Sequence, residues 1–284
     1  MTSTDGLNTR GKTWLLEPAP SNICGQLRAV WRYRHLFWTL THRALFQIYQ
    51  NAIFGIGWMA IHPLVIAIPG AFIIGDVFGI SVTPLPLPLF ILSGMAIWIL
   101  FRRNVQLMTK SMSSNRSLLT RIYVPGLLLV IAAVSPGLFQ FGIVLAMVVA
   151  LAIYYGWISH LGWNLIAIAP AIMMSLLLAI GLSCFTSILN AFARDTWLTL
   201  RYVLTVWMLA SPVFYPTDVI PEHYRWAIYL NPLTPTIELF RWGLLGYGTM
   251  KWPFVALAAV EILAVLLAGI WFFSKQQSRL FDHW

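Results

Sequence analysis

The sequence predicts an all-α membrane protein: six transmembrane helices, an N-terminal amphipathic helix lying in the membrane interface, and a re-entrant helical hairpin between spans five and six. Three observations carry that prediction. Hydrophobic residues make up 59% of the 284-residue chain and charged residues only 10%, with a mean hydropathy of +0.77, whereas soluble domains are about a quarter charged. The apolar residues fall in runs near the ~20 residues that cross a bilayer as helix, not in the alternating ten-residue strands of a membrane barrel. Finally, Pro212, Pro216, Pro221, Pro232 and Pro235 crowd one apolar stretch, residues 211–247, and each removes a backbone donor. Lipid offers no hydrogen bonds, so such backbone persists at membrane depth only when packed in protein or lining a wet cavity.

Residues 1–26 are polar, without the apolar core of a signal peptide, and read as a flexible cytoplasmic tail. Residues 27–284 read as one transmembrane domain. Its first element, residues 27–50, interleaves Arg28, Arg32, Arg34 and Arg43 with Trp31, Phe37, Trp38, Leu40, Leu45 and Phe46. Basic residues and bulky aromatics at helical spacing describe a helix lying in the interface plane. The six spans are expected at 53–78, 87–108, 126–153, 163–189, 197–214 and 252–273. His62-Pro63 marks a kink in the first, with His62 bonding freed carbonyls, and Glu261 is a lone acid in the last, expected to pair with a neighbouring helix. The prolines leave two short amphipathic helices in the hairpin, at 222–230 and 236–246, hinged at Asn231-Pro232.

Charge sets the orientation. Of the 18 Lys and Arg residues, six precede the first span, five lie at 102–121, two are Arg194 and Arg201 and two follow the last span, fifteen on one side, and only Arg225, Arg241 and Lys251 fall on the other. Positive charge marks the cytoplasm, so both termini are expected inside and the hairpin outside. The net charge of +9 accordingly reads as basic loops facing anionic lipid rather than nucleic acid. Cys24 and Cys184 provide neither a disulfide framework nor metal spacing. Residues 6–13 match the phosphate-loop pattern G-x4-G-K-[ST], but no buried strand precedes them, and Pro18 and Pro20 forbid the helix that must follow. ATP hydrolysis is therefore expected on another subunit.

Three short motifs in fixed order carry a resemblance: S-P-V-x-Y-P from Ser211, I-P-E-x-x-R-W from Ile220, and L-N-P-L-T-P-x-I-E-x-F-R from Leu230. From about Leu27 onward the chain resembles the membrane subunits of ABC-2 type polysaccharide exporters. The resemblance implies a permease with no catalysis or cofactor of its own, working as a homodimer with two copies of an ABC ATPase that binds ATP and Mg. It further implies a bacterial inner-membrane location and a lipid-linked glycan as cargo, foremost O-antigen, with capsule or teichoic acid as alternatives. Residues 113–125, with Asn115, Leu118, Leu119, Arg121 and Tyr123 before Pro125, resemble the family's ATPase-docking loop. The turn carrying Arg194 and Asp195 is either a second docking contact or a helix cap. Gly126 and Leu127 stand where relatives often carry Arg-Glu, and Ala44 and Leu45 replace charges usual in the interface helix.

Arg102 and Arg103 lie 15 residues beyond Leu87, about 22 Å along a helix. With Arg43 they are candidates for the phosphate of the cargo's lipid head, since guanidinium matches phosphate oxygens; snorkelling to lipid phosphate is the alternative. Trp98, Phe101, Trp207, Phe214 and Tyr215 are candidates for a sugar-sliding surface along the path, against plain helix packing. Pro221, Arg225, Asn231, Pro232, Glu238 and Arg241 compose the expected outer gate, with Glu238 and Arg241 bridged across three residues of one helix face. Two other classes stay open. A membrane-embedded transferase needs clustered carboxylates or histidines, whereas the nine acidic residues here are scattered. An ABC-2 exporter of drugs or small lipids shares the architecture.

Overall fold

The structure is a computed structural model, and it describes residues 32, 34–49, 55–119, 125–157, 162–193 and 195–283. The phosphate-loop match and Cys24 lie outside the described residues. The helices are α1 (Arg34–Tyr49), α2 (Gly55–Phe72, continued by a π turn at Ile73–Val77), α3 (Leu87–Ser114), α4 (Arg116–Leu119), α5 (Gly126–Ala132) and α6 (Ser135–Tyr154). A 3-10 turn at Trp163–Ala167 leads into α7 (Ile168–Phe192), then α8 (Asp195–Leu209), a 3-10 turn at Thr217–Val219, α9 (Glu222–Tyr229), α10 (Leu233–Leu245) and α11 (Trp252–His283). No strand occurs among the described residues.

Five helical stretches are long and apolar enough to cross a membrane: Gly57–Val77, Leu87–Ser114, Gly126–Tyr154, Trp163–Phe192 and Trp252–Gln277. Each overlaps an expected span. The sixth expectation, 197–214, is met only by a helix shorter than those five. Its helix α8 has only 15 residues, about 22 Å, and the chain then turns, with Ser211 N–H donating to Met208 O at 3.2 Å and Val213 N–H to Ser211 O at 2.7 Å. Pro212 and Pro216 carry no N–H with which to continue the ladder. The third span breaks at Ala133-Val134, where Pro136 takes the first turn of α6, a position that tolerates proline. Helix α11 runs ten residues past the expected end because nothing in Ser274–His283 is proline or glycine.

Helix α3 is the axis of the fold. Every residue from Leu89 to Phe101 is buried, as befits a helix apolar on all sides, and α2, α6, α7, α8 and α10 pack around it. Helix α2 by contrast exposes Trp58, Val65, Ile68 and Phe72, a face suited to lipid or to another apolar surface. Helices α7 and α11 cross with their backbones in contact. A Cβ on Gly269 would overlap the carbonyl oxygen of Gly181, and one on Gly181 would lie 2.8 Å from the Leu266 Cα. Small residues at such crossings let van der Waals packing hold helices together where lipid removes the hydrophobic incentive.

Candidate functional site

The hairpin α9–α10 is fastened by Arg241. Helix α10 begins at Leu233, three residues earlier than the sequence suggests, because Pro235 occupies its first turn, where no donor is required. Gly246 closes it in the left-handed conformation, φ 63°, with its N–H on Trp242 O. This places Arg241 against the first turns of α3 and the bend after α8, 2% exposed. Its Nη1 donates to Pro212 O at 2.7 Å, its Nη2 to Val213 O at 2.9 Å and Phe90 O at 3.1 Å, and its Nε to Ser93 Oγ at 3.3 Å. The guanidinium also lies 3.6 Å from the Phe90 ring centroid, a stacked cation–π contact. Burial holds it below the usual arginine range, at about 9, with the charge of Glu238 pulling the other way.

The expected Glu238–Arg241 bridge is therefore corrected. Glu238 accepts instead from Thr217 Oγ1 at 2.7 Å and from the Tyr229 hydroxyl at 3.0 Å. Lys251 Nζ donates to the same phenol at 3.2 Å, and the Tyr229 ring stacks on Phe254 at 4.3 Å. Burial raises the Glu238 carboxyl above the usual range, opposed by the Thr217 and Tyr229 hydrogen bonds and by the charges of Lys251 and Arg241. A cavity of about 50 Å³ lies over this group, with Asp218, Tyr247 and Thr249 also on its wall. Three side chains that the sequence reading did not place in the gate, Thr217, Tyr229 and Lys251, thus complete this cluster. Only their distance in sequence from Glu238 hid them.

Asn231 fixes the corner between the two short helices. Its Oδ1 accepts from Trp207 Nε1 at 3.0 Å and from Leu233 N–H at 3.1 Å, and its Nδ2 donates to Ser211 Oγ at 2.9 Å. One amide thereby caps α10 and ties it to the end of α8, with Pro232 pre-set for the helix start. Pro221 stands at the start of α9. Arg225 binds the preceding turn through Ile220 O at 2.8 Å and Asp218 O at 2.9 Å, and lies 3.8 Å from Glu222.

The three candidate phosphate ligands do not share one place. Arg102 interacts electrostatically with Arg201 of α8 and with His62 of α2. Helix pairing explains this. Phe101 meets Trp207 at 5.3 Å and Lys110 lies 3.8 Å from the Trp197 ring, so α3 and α8 run antiparallel with Arg201 beside the turn below Arg102. Arg43 lies elsewhere, on a separate cavity with Lys110, eight residues and about 12 Å further along α3. Arg103 is half-buried beside Arg102.

Of the expected docking segment, Arg121 and Tyr123, the side chain of Leu118, and Arg194 lie outside the described residues. Asn115 ends α3, donating from Nδ2 to Ser111 O at 2.8 Å and accepting Leu119 N–H at 3.1 Å. Leu119 is 7% exposed and joins the apolar cluster of Met108, Met112, Leu127 and Phe273. It anchors the segment instead of offering itself to a partner. Asp195 is exposed at the first residue of α8. Close by, Asn190 donates to Ser113 Oγ at 3.0 Å and to Thr109 O at 3.4 Å, while Thr109 and Thr186 share a 2.6 Å hydroxyl contact. A polar seam thus joins α3 to α7 at the same end as the docking segment.

Among the aromatic candidates, Trp98 and Phe101 are 1% and 0% exposed and pack on one another at 5.7 Å. Within the chain they are packing residues of the interior. Trp207, Phe214 and Tyr215 are half-buried, and Tyr215 donates to Leu209 O at 3.2 Å. Glu261 finds no hydrogen-bond partner for its buried Oε2 among the described residues, so the expected pairing with a neighbouring helix is absent there.

The sequence profile of ABC-2 type transporters matches residues 35–245. The chain is also 24% identical over 260 residues to the O-antigen export system permease protein RfbA of Myxococcus xanthus, spanning 88% of this chain and 96% of that protein. It is 24% identical over 244 residues to the protein of the same name in Klebsiella pneumoniae, spanning 84% of this chain and 91% of that protein.

Proposed function

The chain belongs to the ABC-2 type transporter family, and on that premise we propose that it is the membrane subunit of an ATP-driven exporter of a lipid-linked polysaccharide, O-antigen foremost. The observation that carries this reading is the end-to-end similarity to O-antigen export permeases, over 84% or more of the chain. In this reading the subunit breaks and forms no bond. Two copies assemble in the bacterial inner membrane with two ABC ATPase subunits, which bind the ATP and Mg. Both termini face the cytoplasm, following the lysine and arginine distribution.

The cargo's phosphate reaches Arg102 and Arg103, with Arg201 adding positive charge close to the same level. An anion there relieves the repulsion between like charges held close in a low-dielectric setting. ATP-driven closure of the partner pushes on residues 113–125, and the Asn190–Thr109–Thr186 seam passes that push to α3 and α7. The Arg241-fastened hairpin stands over the far side as the gate, and Trp207, Phe214 and Tyr215 give the glycan its apolar faces.

Removing the chain from its host tests the reading. Expected is loss of surface glycan with lipid-linked glycan accumulating in the cytoplasmic leaflet, both reversed by the wild-type chain, and co-purification of an ATP-hydrolysing subunit. Unchanged surface glycan in the deletion would overturn it. Orientation is read separately by replacing exposed Tyr224 with cysteine: a membrane-impermeant maleimide applied from outside is expected to react, and protection of that thiol would reverse the topology.

A further inference from the structure

The cavity beneath the interface helix lies about 12 Å along α3 from Arg102 and has no part in the cargo path just described. It measures about 190 Å³ and opens between α1, the end of α3, and the α5–α6 break. Arg43, Lys110 and Ser114 form its polar side and Leu40, Leu107 and Leu129 its apolar side. Among the described residues no carboxylate lines it. Arg43 has no ion-pair or hydrogen-bond partner among the described residues, and Lys110 has only the neutral face of Trp197, 3.8 Å away. Two exposed cations therefore stand at the mouth of a half-apolar hollow, neither paired with a carboxylate among the described residues.

We infer that this cavity seats the phosphate headgroup of an anionic glycerophospholipid of the cytoplasmic leaflet, which pins α1 to the end of α3. The inference rests on the orientation given under the proposed function. Its chemistry is complementary on both sides: guanidinium and ammonium for phosphate oxygens, a serine hydroxyl for a further bond, and a leucine wall where acyl chains depart. Its place favours the same ligand. Helix α1 exposes Trp38 and Phe46 and buries Leu40, as an interface helix does, and Ser135 Oγ donates to Thr41 O at 3.1 Å, tying it to the bundle. A bound headgroup adds a second tie where the helix meets the segment expected to dock the ATPase.

The test is thermal unfolding of the full chain, purified in detergent, with added dioleoyl-phosphatidylglycerol, dioleoyl-phosphatidylcholine or a polyprenyl phosphate. Phosphatidylglycerol is expected to raise the midpoint and phosphatidylcholine to leave it unmoved. Arg43→Gln with Lys110→Gln is expected to weaken the apparent affinity for phosphatidylglycerol roughly 25-fold, about fivefold for each cation. Lys275→Gln, outside the cavity, retains the wild-type response. Ala44→Phe fills the hollow with both cations kept and removes the response too, so it decides the matter should the double variant not fold. Equal effects of the two phospholipids, equal loss in Lys275→Gln, or stabilisation by polyprenyl phosphate alone would each overturn the inference, the last by assigning the cavity to the cargo. No transport is measured, so loss of the exporter reading would appear only in the surface-glycan experiment.

Discussion

Gly94 lies directly beneath the guanidinium of Arg241: a Cβ at residue 94 would overlap Nη2 and approach Val213 O to 3.0 Å. The absent side chain on α3 is what lets a charged group from the hairpin reach the backbone of two other elements.

Gly94→Ala is accordingly expected to displace Arg241 and loosen the hairpin, with the loss seen as a lowered unfolding midpoint. Arg241→Met should cost about 3 kcal/mol or more, because it leaves the Pro212 and Val213 carbonyls buried without a donor. Arg241→Lys keeps the charge but not the fork and should fall between the wild type and Arg241→Met. If all three variants unfold like the wild type, the fastening role is wrong.

Glu238 and Tyr229 should behave as one unit. Their hydroxyl–carboxylate contact at 3.0 Å is part-buried, so a double-mutant cycle of Tyr229→Phe and Glu238→Gln is expected to give a coupling of about 1.5 kcal/mol. Replacing Glu238 against Arg241 in the same cycle is expected to give a smaller value, because those two side chains make their bonds elsewhere. The reverse order would restore the ion pair that the sequence spacing suggests.

The α7–α11 crossing depends on two missing side chains. Gly269→Val must push α11 from Gly181 and is expected to destabilise the chain by about 3 kcal/mol. Gly142→Val, at a glycine with open space around it, should change the midpoint little. Similar loss in both variants would mean that helix propensity, not the crossing, sets the effect.

The two leucines of the docking segment should separate by assay. Leu119→Asp places a carboxylate among Met108, Met112, Leu127 and Phe273 and is expected to prevent stable folding. Arg116→Glu, on an exposed residue of the same short helix, is expected to leave the chain inserted while reducing ATP-driven export and ATPase co-purification. Full export by Arg116→Glu together with Leu118→Asp would remove residues 113–125 from the docking role.

Asn190→Leu severs the bonds to Thr109 and Ser113 while keeping the same number of side-chain heavy atoms. Retained ATP hydrolysis with reduced export is the expected outcome, measured as glycan moved per ATP consumed, since the seam lies between the docking segment and the spans. Parallel loss of both activities would reduce Asn190 to a folding residue.

Much of the fold was legible in the chain. Apolar runs of span length are read from composition because water and lipid demand the same pattern of every membrane helix. The short hairpin helices were visible through their prolines, with α10 starting early because a first-turn proline costs no bond. Less was legible at the sites. Glu238 and Arg241 sit at bridging separation, yet each finds its partners in segments 9 to 151 residues away. Arg43 and Arg102 look alike in sequence, yet helix register sends one to Lys110 and the other to Arg201 and His62.

By itself, then, the sequence determined that this chain is a helical membrane protein with a proline-broken hairpin and a biased charge distribution, because those properties are local and each residue's preference counts independently. Tertiary structure alone decided which polar groups meet, that Trp98 and Phe101 lie buried inside the chain, and that α8 ends after 15 residues. The physical reason is that a buried polar group takes whatever acceptor the packing brings within about 3 Å. That distance is set by helix crossings such as Gly181 on Gly269, not by separation along the chain.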